Sequence, residues 1–249
     1  MIPKVINYCW FGKASLPPEV KYCMNSWQKY CPDYAIVRWD ESNFDVNKYN
    51  FTKEAYEKQQ WAFVSDVARL DIIYHHGGIY LDTDVELIKS LDSILTAEAY
   101  LGCEDRFTVN TGGGFGAVKG NKFILANLKE YQKLHFIDHD GSTYNQIICP
   151  DITTHLLAER GFKFNGNKQK IDNVVIYPSS YFCPVNFWRQ KLAIKPNTIS
   201  IHHYAASWKD EKNKNKPNGK VLVVKKYLKH YIDFLWGYGT YNSLKRLIK

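Results

Sequence analysis

Residues 74–84 read Tyr-His-His-Gly-Gly-Ile-Tyr-Leu-Asp-Thr-Asp and join the end of a helical pattern to a short apolar strand. The helical spacing runs from Thr52 to His76, with a break predicted near Ser65, and the glycine pair after it is typical of a left-handed helix cap. The strand, Ile79–Asp82, begins at once and ends in acidic residues. Because open α/β sheets bind ligands beyond the carboxyl ends of their strands, these acids are predicted to lie at a ligand site.

The residues before this stretch predict a parallel β-α-β unit. Val5–Trp10 and Ala35–Trp39 are short apolar runs bounded by turn residues, and residues 19–30 between them have helical spacing. Later segments predict two helices, a glycine-rich turn and a last strand, at residues 122–134, 152–160, 110–116 and 199–201. The predicted fold class is α/β, with a Rossmann-like, mostly parallel central sheet flanked by helices.

Charge divides the chain near residue 208. The formal net charge is +8, yet residues 209–249 hold eleven Lys and Arg against three Asp and Glu, and the residues before them hold equal numbers of each sign. We therefore predict a neutral domain at residues 1–208 and a basic linker with a helical tail at residues 209–249. A neutral body argues against nucleic acid as a partner.

The tail has the pattern of an amphipathic helix. Its apolar residues recur at helical intervals with lysines between them: Val221, Val224, Leu228, Ile232, Leu235 and Trp236. Such a helix contacts an anionic membrane surface, or it packs on the domain and leaves its lysines in solvent. The pattern leaves both interpretations open.

The sequence predicts neither a membrane span nor a secretory signal. It has no run of about 18 apolar residues, and its first residues lack a basic segment followed by an apolar one. The six cysteines are scattered without zinc spacing and are predicted to be reduced. The expected location is the cytoplasm or, if the tail binds lipid, the inner face of the cytoplasmic membrane.

Asp82 and Asp84 are the strongest candidates for chemistry. Two residues apart on extended backbone, their carboxylates project to the same side and can share one hard cation, Mn²⁺ or Mg²⁺. An ion held in this way neutralises the charge that develops on a diphosphate leaving group. A solvated acidic turn is the alternative interpretation. Asp66 and Arg69 lie one turn apart on the preceding helix and form either an ion pair or a phosphate contact.

Two neighbouring segments closely resemble glycosyltransferase family 32. They are Ala62-Phe-Val-Ser-Asp66-x-x-Arg69 and, after it, Tyr74-x-x-Gly77-Gly78-Ile-Tyr-Leu-Asp82-x-Asp84. That family includes bacterial capsule and O-antigen enzymes, yeast initiating α-1,6-mannosyltransferases and, more distantly, the glucosyltransferase domains of large clostridial toxins. The likeness continues at residues 2–12, 26–34 and 201–208, so that it covers about residues 1–208. It implies the GT-A fold.

The resemblance also implies which residues bind the donor. A tryptophan at the position of Trp10 would stack on the nucleobase, with Phe11 beside it, although core packing is the alternative for Trp10. Asp66 and Arg69 would contact the sugar and the phosphates. The further donor contacts implied are Asn110, Gly113, Ser207 and Trp208, and a simple turn is the alternative for the glycine-rich pair.

A metal site is implied at the two aspartates. Asp82 would contact the ribose, the sugar and metal-bound water, whereas Asp84 would bind the cation directly. His203 is our choice of the residue that completes the metal shell, and a surface or packed position is its alternative. Asp66, Arg69, Asp82 and Asp84 together would carry catalysis.

The implied activity is retaining transfer of a hexose or N-acetylhexosamine to a saccharide acceptor, expected to be lipid-linked, in capsule, O-antigen or exopolysaccharide synthesis. The donor is expected to be UDP-linked, and GDP-mannose is the alternative. Cys149-Pro150 and Tyr204 depart from the family, since many relatives have Gly-Pro and Trp there. These departures bear on the acceptor side more than on the donor side.

Two other classes of protein are weaker candidates. Leu81–Glu86 is similar to the D-x-D signature of haloacid-dehalogenase-like phosphatases, but Glu86 stands where that signature has Thr or Val. A non-catalytic module that binds nucleotide sugars or nucleic acid is the alternative outside enzymes. The oligomeric state does not follow from the sequence.

Overall fold

The structure is a computed structural model that describes residues 1–137, 149–186 and 191–204, together with seven single residues of the tail, Leu228, Tyr231, Ile232, Trp236, Thr240, Tyr241 and Leu244. Ser207, Trp208 and most of the predicted amphipathic helix lie outside the described residues. The chain divides into two compact units, one of Met1–Pro184 with Ile194–Trp208 and one of Val185–Ala193 with Lys209–Lys249. The boundary at residue 208 stays a prediction.

Strands and helices alternate in the first part of the chain, and strands dominate the second. The strands are β1 (Val5–Cys9), β2 (Ala35–Trp39), β3 (Gly78–Tyr80), β4 (Val85–Leu87), β5 (Ala99–Cys103), β6 (Val109–Ala117), β7 (Gln169–Ile171), β8 (Val174–Tyr177), β9 (Val185–Asn186), β10 (Lys191–Leu192) and β11 (Ser200–His202). The helices are α1 (Pro18–Tyr30), α2 (Asn50–Glu57), α3 (Trp61–His76), α4 (Lys122–Tyr131) and α5 (Cys149–Ala158), with a 3₁₀ turn at Asp92–Ile94.

A seven-stranded sheet in the order β2-β1-β3-β6-β5-β8-β7 forms the centre of the larger unit. The pairs β1–β2, β1–β3 and β5–β8 are parallel, which confirms the predicted β-α-β opening. β6 runs antiparallel to both β3 and β5, and β7 runs antiparallel to β8. A small second sheet pairs β11 with β4 in antiparallel register.

The sheet separates two hydrophobic cores because successive strand residues point to opposite faces. Tyr8 and Ile79 belong to the core that also contains Trp27 of α1. Cys9 and Tyr80, the next residue along each strand, belong to the core formed with α3 and α4. The ends of β1 and β3 are thus held between helices on both faces.

Helix α3 ends where the sequence predicts. Gly77 has φ of 72°, and its N–H donates to the carbonyl of Ile73. Its place suits glycine, because a Cβ there would lie 2.9 Å from the backbone nitrogen of Lys119. The break predicted near Ser65 was wrong in position, since α2 ends at Glu57 and α3 begins at Trp61. Ser65 stays helical while its hydroxyl donates to the Trp61 carbonyl at 3.0 Å.

The glycine-rich segment at residues 110–116 was predicted to be a turn, and that prediction was wrong. It is part of β6, a nine-residue strand that is buried along its whole length. A Cβ on Gly116 would lie 2.7 Å from the ring of Tyr100, so at this position the strand passes too close to its neighbour for a side chain. The glycines therefore serve close packing in the middle of the sheet.

The smaller unit contains the antiparallel pair β9–β10. Its seven single residues at 228–244 are helical, and the amphipathic helix of the tail stays a prediction. Leu228, Tyr231 and Trp236 are exposed to 50%, 60% and 66%. Among the described residues, none of the helices combines the length and the apolarity needed to cross a bilayer.

Candidate functional site

The two acids of the D-x-D motif lie in the tight connection between β3 and β4. The Asp82 N–H donates to the carbonyl of Gly112 at 3.2 Å, and the Asp82 carbonyl accepts from the N–H of Val85 at 3.0 Å. Helix α1 fixes the far side of this connection, because the Trp27 indole N–H donates to the Val85 carbonyl at 2.7 Å. The acids therefore lie at the end of a buried strand, as predicted, and their connection is held by strand β6 and helix α1.

Strand β11 brings a histidine to the two acids. In the antiparallel register His202 lies opposite Val85, the residue after Asp84. The His202 Nε2 atom is 3.2 Å from Asp84 Oδ1, and one ligand atom from each of Asp82, Asp84 and His202 falls within 4.8 Å of the others. Two carboxylates and one imidazole in such a cluster are a ligand set for a divalent cation.

The histidine in this cluster is His202, whereas the sequence led us to choose His203. Adjacent residues at a strand end point to opposite sides, and the His203 ring turns outward, with Nε2 2.9 Å from Glu86 Oε2. The backbone of His203 still contributes, since its N–H donates to the Asp84 carbonyl at 3.0 Å. The choice of His203 is corrected for this reason.

Arg69 joins the helix to the D-x-D motif. Its Nη2 atom is 3.0 Å from Asp66 Oδ1 and 3.2 Å from Asp82 Oδ1, and its Nε donates to the Ser65 carbonyl at 3.0 Å. The guanidinium also lies 4.9 Å from the centre of the Tyr80 ring, in cation–π geometry. These contacts hold the guanidinium between two carboxylates. The ion pair between Asp66 and Arg69 is therefore present and buried, and contact of Arg69 with a donor phosphate stays a prediction.

The buried charges perturb one another. Burial, and next the Asp84 carboxylate, raise the pKa of Asp82 to about 6, although Arg69 acts to lower it. Burial also raises the pKa of Asp66, against the effect of Arg69. Burial lowers the pKa of His202, but Asp84 and then Cys183 outweigh it, so the net pKa is well above the usual range. A cation bound here would relieve the repulsion between Asp82 and Asp84.

The glycines of β6 form the surface against which these side chains lie. A Cβ on Gly112 would lie 2.3 Å from Asp82 Oδ2 and 3.0 Å from Arg69 Nη1. Asn110, predicted as a donor contact, is buried nearby, and its Oδ1 accepts from the Gly112 N–H at 2.6 Å. Gly113, also predicted, lies against Cys183 and His202. The strand thus brings both predicted residues beside the acidic cluster.

Cys149 closes the side of the site next to Asp66. Cys149 is the first residue of α5, and its thiol and backbone N–H act to lower the pKa of the Asp66 carboxyl against the larger effect of burial. Its Sγ is 3.8 Å from Arg69 Nη1 and 3.9 Å from Asn110 Oδ1. The departure from Gly-Pro therefore places a thiol among the residues that the resemblance assigns to the donor.

Trp10 and Phe11 follow β1 and differ in their surroundings. Trp10 is partly buried, packs on the α1-side core and donates from its indole to the Ala14 carbonyl at 2.7 Å. Phe11 is only 4% exposed and packs edge-on against Phe44 at 5.9 Å. The Phe11 side chain is therefore a core group, and only its backbone can meet a donor. Ser207 and Trp208, the other predicted contacts, lie outside the described residues.

Several site residues were missed from the sequence: His202, Gly112, Cys149 and Cys183. Their positions depend on pairings between distant parts of the chain, such as β11 with β4. The only local signal was the run of glycines, whose need for close approach was noted but assigned to a turn.

Comparison with known proteins identifies a family region. Residues 17–101 match the family model described as a glycosyltransferase sugar-binding region containing a DXD motif. Inositol phosphoceramide mannosyltransferase 3 of Schizosaccharomyces pombe is 33% identical over 152 residues, which are 55% of this chain and 39% of that protein. Mannosyl phosphorylinositol ceramide synthase of Saccharomyces cerevisiae is 27% identical over 146 residues, 56% of this chain and 38% of that protein. The chain thus matches well under half the length of these relatives.

A solved structure shares the fold. The PaToxG glycosyltransferase superposes with a TM-score of 0.50 at 19% sequence identity, over 64% of this chain and 69% of that one. The predicted GT-A fold is confirmed.

Proposed function

We propose that this chain, whose residues 17–101 match a glycosyltransferase sugar-binding region containing a DXD motif, transfers a sugar from a nucleotide sugar to a saccharide acceptor with a divalent cation. One observation carries the proposal: Asp82, Asp84 and His202 converge at a strand end beside the buried cation of Arg69. The family region argues against a phosphatase, and release of nucleotide separates a transferase from a purely binding module.

The ligand set fits Mn²⁺ or Mg²⁺, and the imidazole favours Mn²⁺. Such an ion, when bound, acts as a Lewis acid that stabilises the departing nucleoside diphosphate. Asp84 and His202 would hold the ion directly, with Asp82 reaching it directly or through water. Arg69 keeps the Asp82 carboxylate in place from the other side, while Asp66 holds Arg69. These charges are fixed before the donor arrives, which is the condition for electrostatic catalysis.

The donor is proposed to be GDP-mannose or a UDP-sugar, and one observation favours GDP-mannose. The two fungal relatives are named for mannosyl transfer, and an activated mannose is the corresponding donor class. We keep the UDP-sugar expected from the resemblance as the competing candidate. Retention of the donor's anomeric configuration, with an α-linkage in the product, is proposed for either donor and can be read from the product by proton NMR.

The proposal is tested with a panel of nucleotide sugars in the presence of Mn²⁺, read by release of nucleoside diphosphate and by thermal shift. We expect turnover with one donor, loss of turnover on chelation and recovery on adding Mn²⁺ back. Asp84→Asn should reduce transfer by at least about 100-fold, because it removes a charged ligand and leaves a side chain of the same shape. The exposed Asp45→Asn is the matched control and should keep full activity.

Two outcomes would contradict the proposal. Near-normal transfer by Asp84→Asn in the presence of metal would remove the role of the cation site. Binding of every nucleotide sugar without any release of nucleotide, even with saccharide acceptors, would favour a binding module.

The acceptor and the location also remain proposals. We propose a saccharide acceptor, with the lipid-linked acceptor of polysaccharide synthesis as the expected class, and no role for nucleic acid. The basic tail is proposed to hold the enzyme at an anionic membrane surface on the cytoplasmic side. Its exposed Leu228, Tyr231 and Trp236 support contact with lipid.

A further inference from the structure

Three neighbouring strands of the central sheet end at the same edge. β2, β1 and β3 lie side by side and run parallel, and shortly after their ends come Glu41, Gly12 and Asp82. Adjacent strands are about 4.8 Å apart, so this edge extends about 10 Å from Asp82 to the side of Glu41. Because open α/β sheets bind ligands along the carboxyl ends of their strands, the candidate site continues from the acidic cluster toward Glu41.

Helix α3 connects the two ends of this stretch. The Ser65 hydroxyl donates to the Trp61 carbonyl and Arg69 Nε to the Ser65 carbonyl, both at 3.0 Å, so these residues form one row on the helix. About 12 Å of helix separates Arg69 from Trp61. Arg69 lies beside Asp82, whereas a Cβ on Gly12 would lie 2.6 Å from the Trp61 ring. The row therefore runs from the acidic cluster to the loop after β1, which is the reach of a nucleotide from its diphosphate to its base.

The Glu41 carboxylate is fixed through one of its oxygens. Oε1 accepts from the Gly12 N–H at 2.7 Å and from the Tyr56 hydroxyl at 3.1 Å. The Tyr56 ring packs edge-on against Trp61, with ring centres 5.1 Å apart. Oε2 has neither a hydrogen bond nor a basic partner within the described part of the chain, although Glu41 is partly buried. An oxygen held in this way, with its acceptor positions open, is suited to bind the N–H groups of a ligand.

Aromatic rings and polar groups together recognise a nucleobase. Rings stack on the face of the base, and polar groups bond its Watson–Crick edge. Trp10 and Trp61 are both partly buried beside the loop that contains Gly12. Guanine presents two adjacent donors, N1–H and the N2 amine, on the edge that a carboxylate can bind. Uracil presents one donor between two carbonyl oxygens, which a carboxylate repels. The charge of Glu41 therefore favours guanine over uracil.

We propose that Glu41 is a specificity-determining residue that selects guanine as the base of the donor, with Oε2 accepting from the N1–H and the N2 amine. The inference rests on the proposed function and adds to it the identity of the nucleotide. The Gly12 N–H and the Tyr56 hydroxyl then serve to aim the carboxylate at the base, since both bind the opposite oxygen.

The first measurement uses the wild-type full chain and needs no variant. Isothermal titration calorimetry with Mn²⁺ present compares GDP, inosine diphosphate and UDP, and inosine diphosphate is GDP without the N2 amine. We expect GDP to bind at least about tenfold more tightly than either of the others, because a hydrogen bond to a charged group contributes about that much. Binding of UDP or of inosine diphosphate as tight as that of GDP would overturn the proposal.

The second measurement repeats the comparison with Glu41→Gln. The amide oxygen can still accept from the Gly12 N–H, but the amide NH₂ group faces the donors of guanine. We expect the dissociation constant for GDP to rise about tenfold or more and the difference between GDP and inosine diphosphate to disappear. Glu57→Gln is the matched control, because Glu57 is an exposed glutamate of α2 and should leave the preference unchanged. A Glu41→Gln chain that keeps the preference for GDP would show that the carboxylate only holds the loop.

Failure of this inference is distinct from failure of the proposed function. Release of UDP from a UDP-sugar, together with tighter binding of UDP than of GDP, would overturn the role of Glu41 and leave the transferase activity standing. The expected preference for GDP without nucleotide release from any nucleotide sugar would support the role of Glu41 and contradict the transferase.

Discussion

Asp82 is one residue through which pH acts on the site. Its pKa is raised to about 6 by burial and then by Asp84, against the opposing effect of Arg69, compared with about 3.9 for an exposed aspartate. Between these two values the folded chain holds a proton that the unfolded chain has released. The free energy of unfolding that this group contributes to the metal-free protein is therefore highest below about pH 4 and falls as the pH rises to about 6.

The same proton competes with a cation. We expect the dissociation constant for Mn²⁺ to rise by at least about tenfold when the pH is lowered from 7 to 5, because the ligand must lose its proton to bind. Mn²⁺ titrations across this range measure the effect. An affinity that does not change with pH would mean that Asp82 is ionised throughout and that its burial is offset by Arg69.

Strand β6 is the element whose glycines make room for the site. Gly112→Ala would place a methyl group 2.3 Å from Asp82 Oδ2 and 3.0 Å from Arg69 Nη1, so one of these charged groups must move. We expect transfer to fall by on the order of 100-fold, since a displacement of about 1 Å in a catalytic group has an effect of this size. Steady-state kinetics and Mn²⁺ affinity measure the change.

Gly120→Ala is the control for this prediction. Gly120 has φ of 76° but no atom near its would-be Cβ, so alanine brings backbone strain without a collision. We expect a loss of about 1 kcal/mol in stability with unchanged turnover. If both variants lose only stability, the glycine in β6 serves packing alone.

At the scale of the whole molecule, the division of charge predicts a function for the tail. Each basic residue near an anionic bilayer contributes about 1 kcal/mol of binding. Replacing Lys225, Lys226 and Lys229 together by Glu in the full chain should lower the partition coefficient for anionic vesicles at least about tenfold. Sedimentation with vesicles of anionic and of neutral lipid measures it.

The control is a variant with the same change of charge, made within residues 1–208, which hold equal numbers of basic and acidic residues. Lys21, Lys53 and Lys163 are exposed there, and their triple replacement by Glu should leave vesicle binding close to wild type. Equal loss in both variants would point to net charge alone, and no loss in the tail variant would favour a tail that does not meet lipid.

The local sequence alone predicts the helix cap at Gly77, the strand that follows it and the position of Asp82 and Asp84 at the end of that strand. Each of these features depends on residues only a few positions apart. The resemblance added the donor-binding roles of Asp66 and Arg69 and the GT-A fold. The choice between His202 and His203 could not be made in this way, since it follows from the register of β11 on β4, two strands more than a hundred residues apart. Likewise, the glycines of β6 differ from those of a turn only by what packs against them, and that is a property of the assembled sheet.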